Sequence, residues 1–218
     1  MRCGKPVLGA VAAILLAGGT AAIFMFAVAG CQNSAAKSKS QIATTATPVA
    51  SRDEGLAAWD RVYSVLTHPR CINCHTATNF PHQGDDRHRH FANVVRGPEG
   101  KGVAGFQCIS CHQQSNADST GVPGGHNWHL APLSMRWQDE NGNIFSKTQL
   151  CKVLIDKSKN GNMDAAALLK HHTEEALVHW AFAPGVGIDG RARTLPPMTH
   201  QQFVEATRKW VEAGMPCP

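Results

Sequence analysis

Two copies of one five-residue motif constrain this chain more than any other feature of its sequence. The stretch CINCH occupies Cys71 to His75, and the stretch CISCH occupies Cys108 to His112. Each copy places two cysteines three positions apart and follows the second cysteine directly with histidine. Such thiols can bind zinc, form disulfides or link covalently to a cofactor, and the compartment of the chain helps to decide among these roles.

The first 31 residues have the layout of an export signal. Arg2 and Lys5 are the only charges before an uncharged run, residues 6–30, which ends in small residues. The segment VAGC, which ends at Cys31, is similar to a bacterial lipobox, in which the chain is cut before the cysteine and the cysteine thiol carries a diacylglycerol. The uncharged run is also long enough to span a bilayer without being cut. Both interpretations predict an exported, membrane-attached protein, and we favour the lipoprotein.

A polar stretch separates this leader from the part of the chain that can fold. The segment QNSAAKSKSQIATTATPVAS, residues 32–51, has too little apolar surface to form a core. We therefore predict three regions: a lipoprotein signal peptide at 1–30, a lipidated flexible linker at 31–51 and a folded domain at 52–218.

The charge of the chain gives no sign of nucleic-acid binding. It has 21 Lys and Arg, including Arg2 and Lys5 of the leader, and 16 Asp and Glu. The surplus of three positive charges outside the leader is spread along the chain, whereas nucleic-acid binding needs a concentrated basic face. We expect no nucleic-acid partner.

In an exported, oxidising compartment the two motifs predict covalent attachment of haem c. The two thiols add to neighbouring vinyl groups of a porphyrin, and the histidine that follows then lies beneath the iron as its axial ligand. At the frequencies of Cys and His in this chain, about 0.02 such motifs would arise by chance. We predict two covalently bound haem c groups, held by six residues: Cys71, Cys74, His75, Cys108, Cys111 and His112.

Two other roles of the motif cysteines explain less of the pattern. Two CxxC pairs can build one Cys₄ zinc site, and an exported chain can also oxidise them to disulfides. Neither alternative explains why a histidine follows each pair, and a disulfide across two intervening residues is strained. We therefore favour haem over zinc and disulfides.

The pair of motifs resembles the small dihaem c-type cytochromes. A wider pattern, HPRCINCHTATNFPHQGDDRHRH, GPEGKGVAGFQCISCH, WHLAPLSMRW and a C-terminal helix with Trp, is similar to exported proteins described as isoquinoline 1-oxidoreductase subunits. This similarity covers most of residues 56–218. It implies that the electron donor is a molybdenum hydroxylase that oxidises heterocycles or aldehydes.

The helical signals predict a mostly α fold, with cytochrome c-like helices and irregular loops that wrap two covalent haems. A capping box at Ser51 begins an amphipathic helix that stops at Pro69, and a second capping box at Thr199 begins the last helix, which ends by Gly214. The stretches SKTQLCKVLID and DAAALLKHHTEEALVHWAF predict two or three further helices, with Asp164 and Thr173 as N-caps. Residues 76–107 and 113–143 lack periodicity and predict loops.

Two cysteines are left after those of the motifs, the leader and the proposed lipidation site are set aside. Cys151 and Cys217 are an even remainder in an oxidising compartment, and we predict a disulfide between them. This bond would tie the last helix to the segment after the second motif. Closing a loop of about 67 residues would stabilise the folded state by about 4 kcal/mol. Two free buried thiols are the alternative.

The opposite face of each iron needs a second ligand, and the sequence offers several. We favour His90, which leads into the apolar stretch FANVV, and His129, which Trp128 and Leu130 flank. A methionine at this position would raise the reduction potential relative to histidine. The other candidates are Met198, His88, His126, His172 and His179. Four arginines in the same loops can pair with haem propionates: Arg87, Arg89, Arg96 and Arg136.

Electron transfer is the function that these features favour. Two haems in a domain of this size lie close together, and the sequence has no Ser-His-Asp, phosphate-loop or zinc-protease signature. We expect a periplasmic, membrane-anchored electron-transfer protein rather than an enzyme. Its redox partner proteins would be an exported dehydrogenase or molybdenum hydroxylase and components of the respiratory chain. The alternative is a dihaem peroxidase-type enzyme with one open haem site.

Overall fold

Helices dominate the regular structure of residues 50–218, the part of the chain that the computed structural model describes. Within these residues there are six α-helices: α1 Arg52–Leu66, α2 Pro69–Ile72, α3 Lys147–Ile155, α4 Ala165–Glu174, α5 Ala176–Phe182 and α6 His200–Glu212. The mostly α fold class is therefore confirmed. The predicted signal peptide, the proposed lipidation site Cys31 and the linker up to residue 49 lie outside the described residues.

The long segment between α2 and α3 is held by short hairpins and turns. Strand β1 (His82–Gln83) pairs antiparallel with β2 (His88–Arg89), and β3 (Gly102–Val103) pairs antiparallel with β4 (Phe106–Gln107). Three single turns of 3₁₀ helix lie at Pro98–Gly100, Cys108–Ser110 and Leu133–Met135. The predicted loops over 76–107 and 113–143 thus contain only very short regular elements.

Helices α1 and α6 form the centre of the core. The rings of Trp59 and Trp210 pack with their centroids 4.8 Å apart, and both side chains are buried. Burying a large apolar side chain contributes about 1.5–3 kcal/mol relative to leaving it exposed. Gly55 allows the close approach, because a Cβ at this position would lie 2.5 Å from Cβ of Ala213.

Local capping signals begin most of these helices. The predicted capping boxes at Ser51 and Thr199 are both present, and Ser146 forms a third one at the start of α3. Asp164 caps α4 as predicted, through a bond of 2.8 Å from the N–H of Ala167 to Oδ1.

One of the predicted helix caps was wrong. Thr173 is not an N-cap: it lies inside α4, where its hydroxyl donates to the carbonyl of Leu169. Glu175 instead separates α4 from α5, so His172 and His179 do not share one continuous helix. Pro69 follows the end of α1 and is also the first residue of α2, with His68 as the N-cap.

The end of the chain is fastened to the helical core. Cys151 of α3 and Cys217 form a disulfide, which confirms the predicted pairing, with their Cα atoms 5.7 Å apart. The indole N–H of Trp210 donates to the carbonyl of Pro216 at 3.0 Å, and Arg52 donates to the carbonyl of Cys217 at 3.1 Å. Residues 50–218 fall within one compact unit. Among them, no helix is both long and apolar enough to cross a membrane.

Candidate functional site

The first motif continues directly from helix α2. Cys71 is the third residue of that helix, and the N–H groups of Cys74 and His75 both donate to the carbonyl of Cys71 at 3.2 Å. Residues three apart in a helical turn lie on the same face. Both thiols accordingly line one cavity together with His75.

His75 is held by two contacts that leave one of its ring nitrogens free. Its Nδ1–H donates to the carbonyl of Met135 at 2.8 Å, and its ring stacks on Trp137, with centroids 3.4 Å apart and planes 7° apart. Burial lowers the pKa of His75 to about 3, so the ring is neutral at physiological pH. The neutral tautomer with its proton on Nδ1 keeps a lone pair on Nε2, the form that binds a metal.

The second motif forms a 3₁₀ turn and repeats this arrangement. The N–H of His112 donates to the carbonyl of Cys108 at 2.9 Å, which closes the motif into a turn. Nδ1–H of His112 donates to the carbonyl of Pro123 at 2.8 Å, and the ring stacks on Trp128, with centroids 4.5 Å apart and planes 2° apart. Burial lowers the pKa of His112 as well.

One ten-residue segment supplies contacts to both motif histidines. We call WHLAPLSMRW, residues 128–137, the bridging segment. Its first residue, Trp128, stacks on His112, while its last residue, Trp137, stacks on His75. The same segment supplies the Met135 carbonyl to which His75 donates. The bridging segment therefore orients both histidines at once.

The two motifs are neighbours in space. Burial raises the pKa of Cys71 to about 12 and that of Cys74 to about 11, and the nearby thiols of Cys74 and Cys108, respectively, raise these values further. Within residues 50–218 none of the four motif cysteines is in a disulfide. No group of three or more His, Cys, Asp or Glu side chains in that part of the chain is arranged to hold a metal ion. The described geometry thus contains neither the disulfide pairing nor the Cys₄ cluster that the alternatives require.

The cavity beside the first motif has a volume of about 280 Å³. Its walls are mostly apolar and come from the end of α1, the bridging segment, α4, α5 and Phe203 of α6. Five residues with nitrogen or sulfur ligand atoms line it besides the motif itself: His129, Met135, Met163, His171 and His172. An apolar cavity with two free thiols and a neutral imidazole fits a covalently attached porphyrin.

The predicted ligand His129 lies at this cavity. Its Nδ1–H donates to the carbonyl of Asn127 at 2.5 Å, so its Nε2 remains free. His172, also considered from the sequence, lines the same cavity and donates its Nδ1–H to the hydroxyl of Thr207 at 3.0 Å. His171 and Met163 were not singled out from the sequence, although the adjacent pair His171–His172 was a visible signal for the first of them.

The predicted ligand His90 lies at the second motif. The ring centroids of His90 and His112 are 6.0 Å apart, and their planes differ by 67°. Nδ1 of His90 accepts from the N–H of Ala92 at 3.3 Å. His88 turns elsewhere, since its Nδ1 lies 2.6 Å from a carboxylate oxygen of Asp86.

The other candidates lie away from these positions. Met198 packs against the core of buried helices and is not among the residues that line the cavity. His126 contacts the side chain of Gln114 at 3.1 Å, and the ring of His179 packs 4.3 Å from that of His200.

The arginines near the motifs are mostly engaged with protein groups. Arg96 is buried and donates to the carbonyls of Thr76 and Thr78 at 3.0 and 3.1 Å. Arg89 lies over the ring of Phe80, 4.5 Å from its centroid. Arg70, which the sequence did not single out, lines the cavity and pairs with Asp85.

A comparison with models of protein families, with curated proteins and with solved structures finds no match to this chain. The functional proposal therefore rests on the two motifs and the residues around them.

Proposed function

We propose that this protein is a membrane-anchored, periplasmic dihaem c-type cytochrome that transfers electrons between redox partner proteins. The observation that carries the proposal is the repeated arrangement of His75 and His112. Each ring donates Nδ1–H to a backbone carbonyl, stacks on a tryptophan and keeps Nε2 free beside two unpaired thiols. A metal ligand held by a second hydrogen bond on its other nitrogen is the usual arrangement of histidine at a metal site.

Each residue of the two motifs has a separate task in this proposal. The thiols of Cys71 and Cys74, and those of Cys108 and Cys111, would hold the porphyrins as thioethers. His75 and His112 would bind the irons from one side. When bound, the haem groups supply the one-electron exchange between ferric and ferrous iron, and the protein sets their potentials through ligands, burial and hydrogen bonds.

The second ligands decide between a carrier and an enzyme. We propose His90 opposite His112, because their ring centroids are 6.0 Å apart, and His129 at the cavity of His75, because it lines that cavity and its Nδ1–H donates to a backbone carbonyl. Binding through Nε2 would require His90 to carry its proton on Nδ1 instead and to give up the bond from the N–H of Ala92. If both irons have two protein ligands, no position is left open for a substrate, and the protein acts as an electron carrier.

The anchor and the partners complete the proposal. Lipidation of Cys31 and the polar linker 31–51 would hold the domain near the membrane, within reach of both an exported donor and membrane respiratory components. An exported dehydrogenase or a molybdenum hydroxylase fits as the donor, in line with the resemblance described for the sequence.

Counting the haems in matched variants tests the proposal. The full chain is produced together with cytochrome c maturation machinery, and intact mass and the haem absorption spectrum are measured. We expect two haems in the wild type and one each in C71S/C74S and C108S/C111S. The control C151A/C217A removes two cysteines outside the motifs and keeps both haems. A colourless wild-type protein, or one with the mass of its amino acids and lipid alone, would refute the proposal.

Carbon monoxide distinguishes the carrier from a peroxidase-type enzyme. Ferrous protein with two ligands at each iron binds carbon monoxide slowly and incompletely, and its ferric form is low-spin. Rapid binding at one haem, together with a high-spin ferric spectrum, would instead indicate an open site and favour the enzyme.

A further inference from the structure

The two motifs differ in how far the protein encloses them. Cys71, Cys74 and His75 all line the cavity, whereas no residue of the second motif is among its walls. Of the four motif cysteines only Cys111 is exposed, while Cys71, Cys74 and Cys108 are each half-buried. The first motif thus lies beside a cavity, while the second motif has one thiol at the surface.

Several apolar side chains near His90 and the second motif are exposed. Phe91 follows His90 directly, and Ile109 lies inside the motif itself; their side chains are 66% and 52% exposed. Val103 and Phe106 are cross-strand partners in the β3–β4 hairpin and point to the same face, just before Cys108. Large apolar side chains that are exposed together indicate a surface that something covers.

The distance between His90 and His112 indicates which group would cover this surface. Two imidazoles that bind one metal ion from opposite sides, each at about 2 Å, place their ring centroids about 6 Å apart. The centroids of His90 and His112 are 6.0 Å apart. His90 and His112 therefore have the spacing that two imidazoles on one metal ion would have, and they are the residues that would hold the iron of the second site.

We infer that the second haem lies on this apolar surface with an edge open to solvent, and that it is the haem through which the protein exchanges electrons with its partners. This inference rests on the proposed function. Cys108, Cys111 and His112 would hold the haem of this second site, and that haem would supply one-electron exchange with a reduced partner protein. Trp128 lies between the two sites, since it stacks on His112 and also lines the cavity of the first motif.

Reduction kinetics of the two single-haem variants test the inference. Each protein is mixed with a bulky anionic reductant, and the haem absorbance is followed by stopped flow. We expect C71S/C74S, which keeps the second haem, to be reduced at the rate of the fast wild-type phase. We expect C108S/C111S, which keeps the first haem, to be reduced at least tenfold more slowly. Equal rates, or a faster first haem, would overturn the inference.

A pair of surface variants provides the same test in the intact dihaem protein. Ile109→Glu places a negative charge on the apolar surface, and Ile155→Glu places one at an exposed position at the end of α3. We expect Ile109→Glu to slow the fast phase with the anionic reductant at least threefold and Ile155→Glu to leave it unchanged. No effect of Ile109→Glu, or a larger effect of Ile155→Glu, would overturn the inference.

The haem count is measured first, so the two proposals fail in different ways. A chain without haem refutes the proposed function. A chain with two haems whose first site reacts faster refutes only the assignment of the second haem as the exchange site.

Discussion

Each motif histidine is oriented by two contacts within the protein. A backbone carbonyl fixes the proton on Nδ1, and a tryptophan fixes the plane of the ring. The lone pair of Nε2 is then directed before any metal binds, which lowers the entropy cost of forming the site. Trp128 and Trp137 therefore help to form the two sites by fixing the planes of their histidine rings.

The two tryptophans predict different spectroscopic effects. Trp137 contacts the first site through His75, whereas Trp128 both stacks on His112 and lines the first cavity. If the proposed haems are bound, we expect Trp137→Leu to change the spectrum and midpoint potential of the first haem alone, and Trp128→Leu to change those of both haems. Spectroelectrochemical titration in the two single-haem backgrounds measures each haem separately. A change in the second haem with Trp137→Leu would contradict the described contacts.

Buried His172 predicts that stability falls in acid. Burial lowers its pKa well below the ordinary value of 6.5, and His171, His75 and His200 lower the pKa further. The unfolded chain therefore takes up a proton below pH 6.5 that the native protein does not, and the free energy of unfolding decreases as the pH falls. The loss begins as the pH falls through the ordinary histidine value of 6.5 and grows toward pH 5.

Urea denaturation at pH 7 and pH 5 checks this effect. We expect His172→Gln to reduce the difference in stability between the two pH values relative to the wild type. The control His126→Gln replaces an exposed histidine and leaves the difference unchanged. An unchanged difference in His172→Gln would show that this residue does not carry the acid sensitivity.

The two motifs could be recognised from the sequence because their residues are close together along the chain. Contacts between residues that are far apart along the chain could not be predicted in this way. The pattern CxxCH predicts its own six residues, because the chemistry and the spacing are local. Met135 and Trp137 lie about sixty positions after His75, and only the fold brings them together. His171 was missed for the same reason: a histidine in an amphipathic helix gives no sign of the cavity that it faces.

At the scale of elements, local capping chemistry determines where the helices begin. Ser51, Ser146 and Thr199 each accept a bond from the third residue of their helix, and a Glu or Gln side chain returns the bond. These signals are readable because four consecutive residues contain all partners. Thr173 was misread as a cap, because its hydroxyl bonds backwards to Leu169 and keeps the residue inside α4.

These caps predict a difference between two threonines. Thr199→Ala removes the side-chain acceptor at the start of α6, and we expect a loss of about 1 kcal/mol in the free energy of unfolding. Thr173→Ala changes a residue inside α4, where alanine is at least as favourable, so we expect a smaller effect. Chemical denaturation of both variants measures the two values. An equal loss in both would contradict the assignment of Thr199 as the cap.

At the scale of the whole molecule, the disulfide and the C-terminal contacts close the helical core. The bond from Cys151 to Cys217 spans 66 positions, and it joins α3 to a chain end that also contacts α1 through Arg52 and Gly55. The core thus depends on residues from both ends of the folded domain.

Removing the disulfide tests its contribution. We expect C151A/C217A to lower the free energy of unfolding by about 4 kcal/mol, because the unfolded chain regains the entropy of a long open loop. The absorbance of both haems should be unchanged at room temperature, since neither cysteine lies in a motif. Thermal unfolding followed at the haem band measures the shift. A variant as stable as the wild type would show that the core contacts alone close the loop.

The walls of the first cavity have a consequence for biogenesis. Apart from Leu66, Arg70 and the motif, every wall residue lies between positions 128 and 203. A chain that leaves the cytoplasm N-terminus first presents Cys71 to the maturation enzymes before the covering helices arrive. Under the proposed function, haem would reach Cys71 and Cys74 most readily before these later residues fold around them. Slow delivery of haem would then leave an apoprotein whose cavity is already formed.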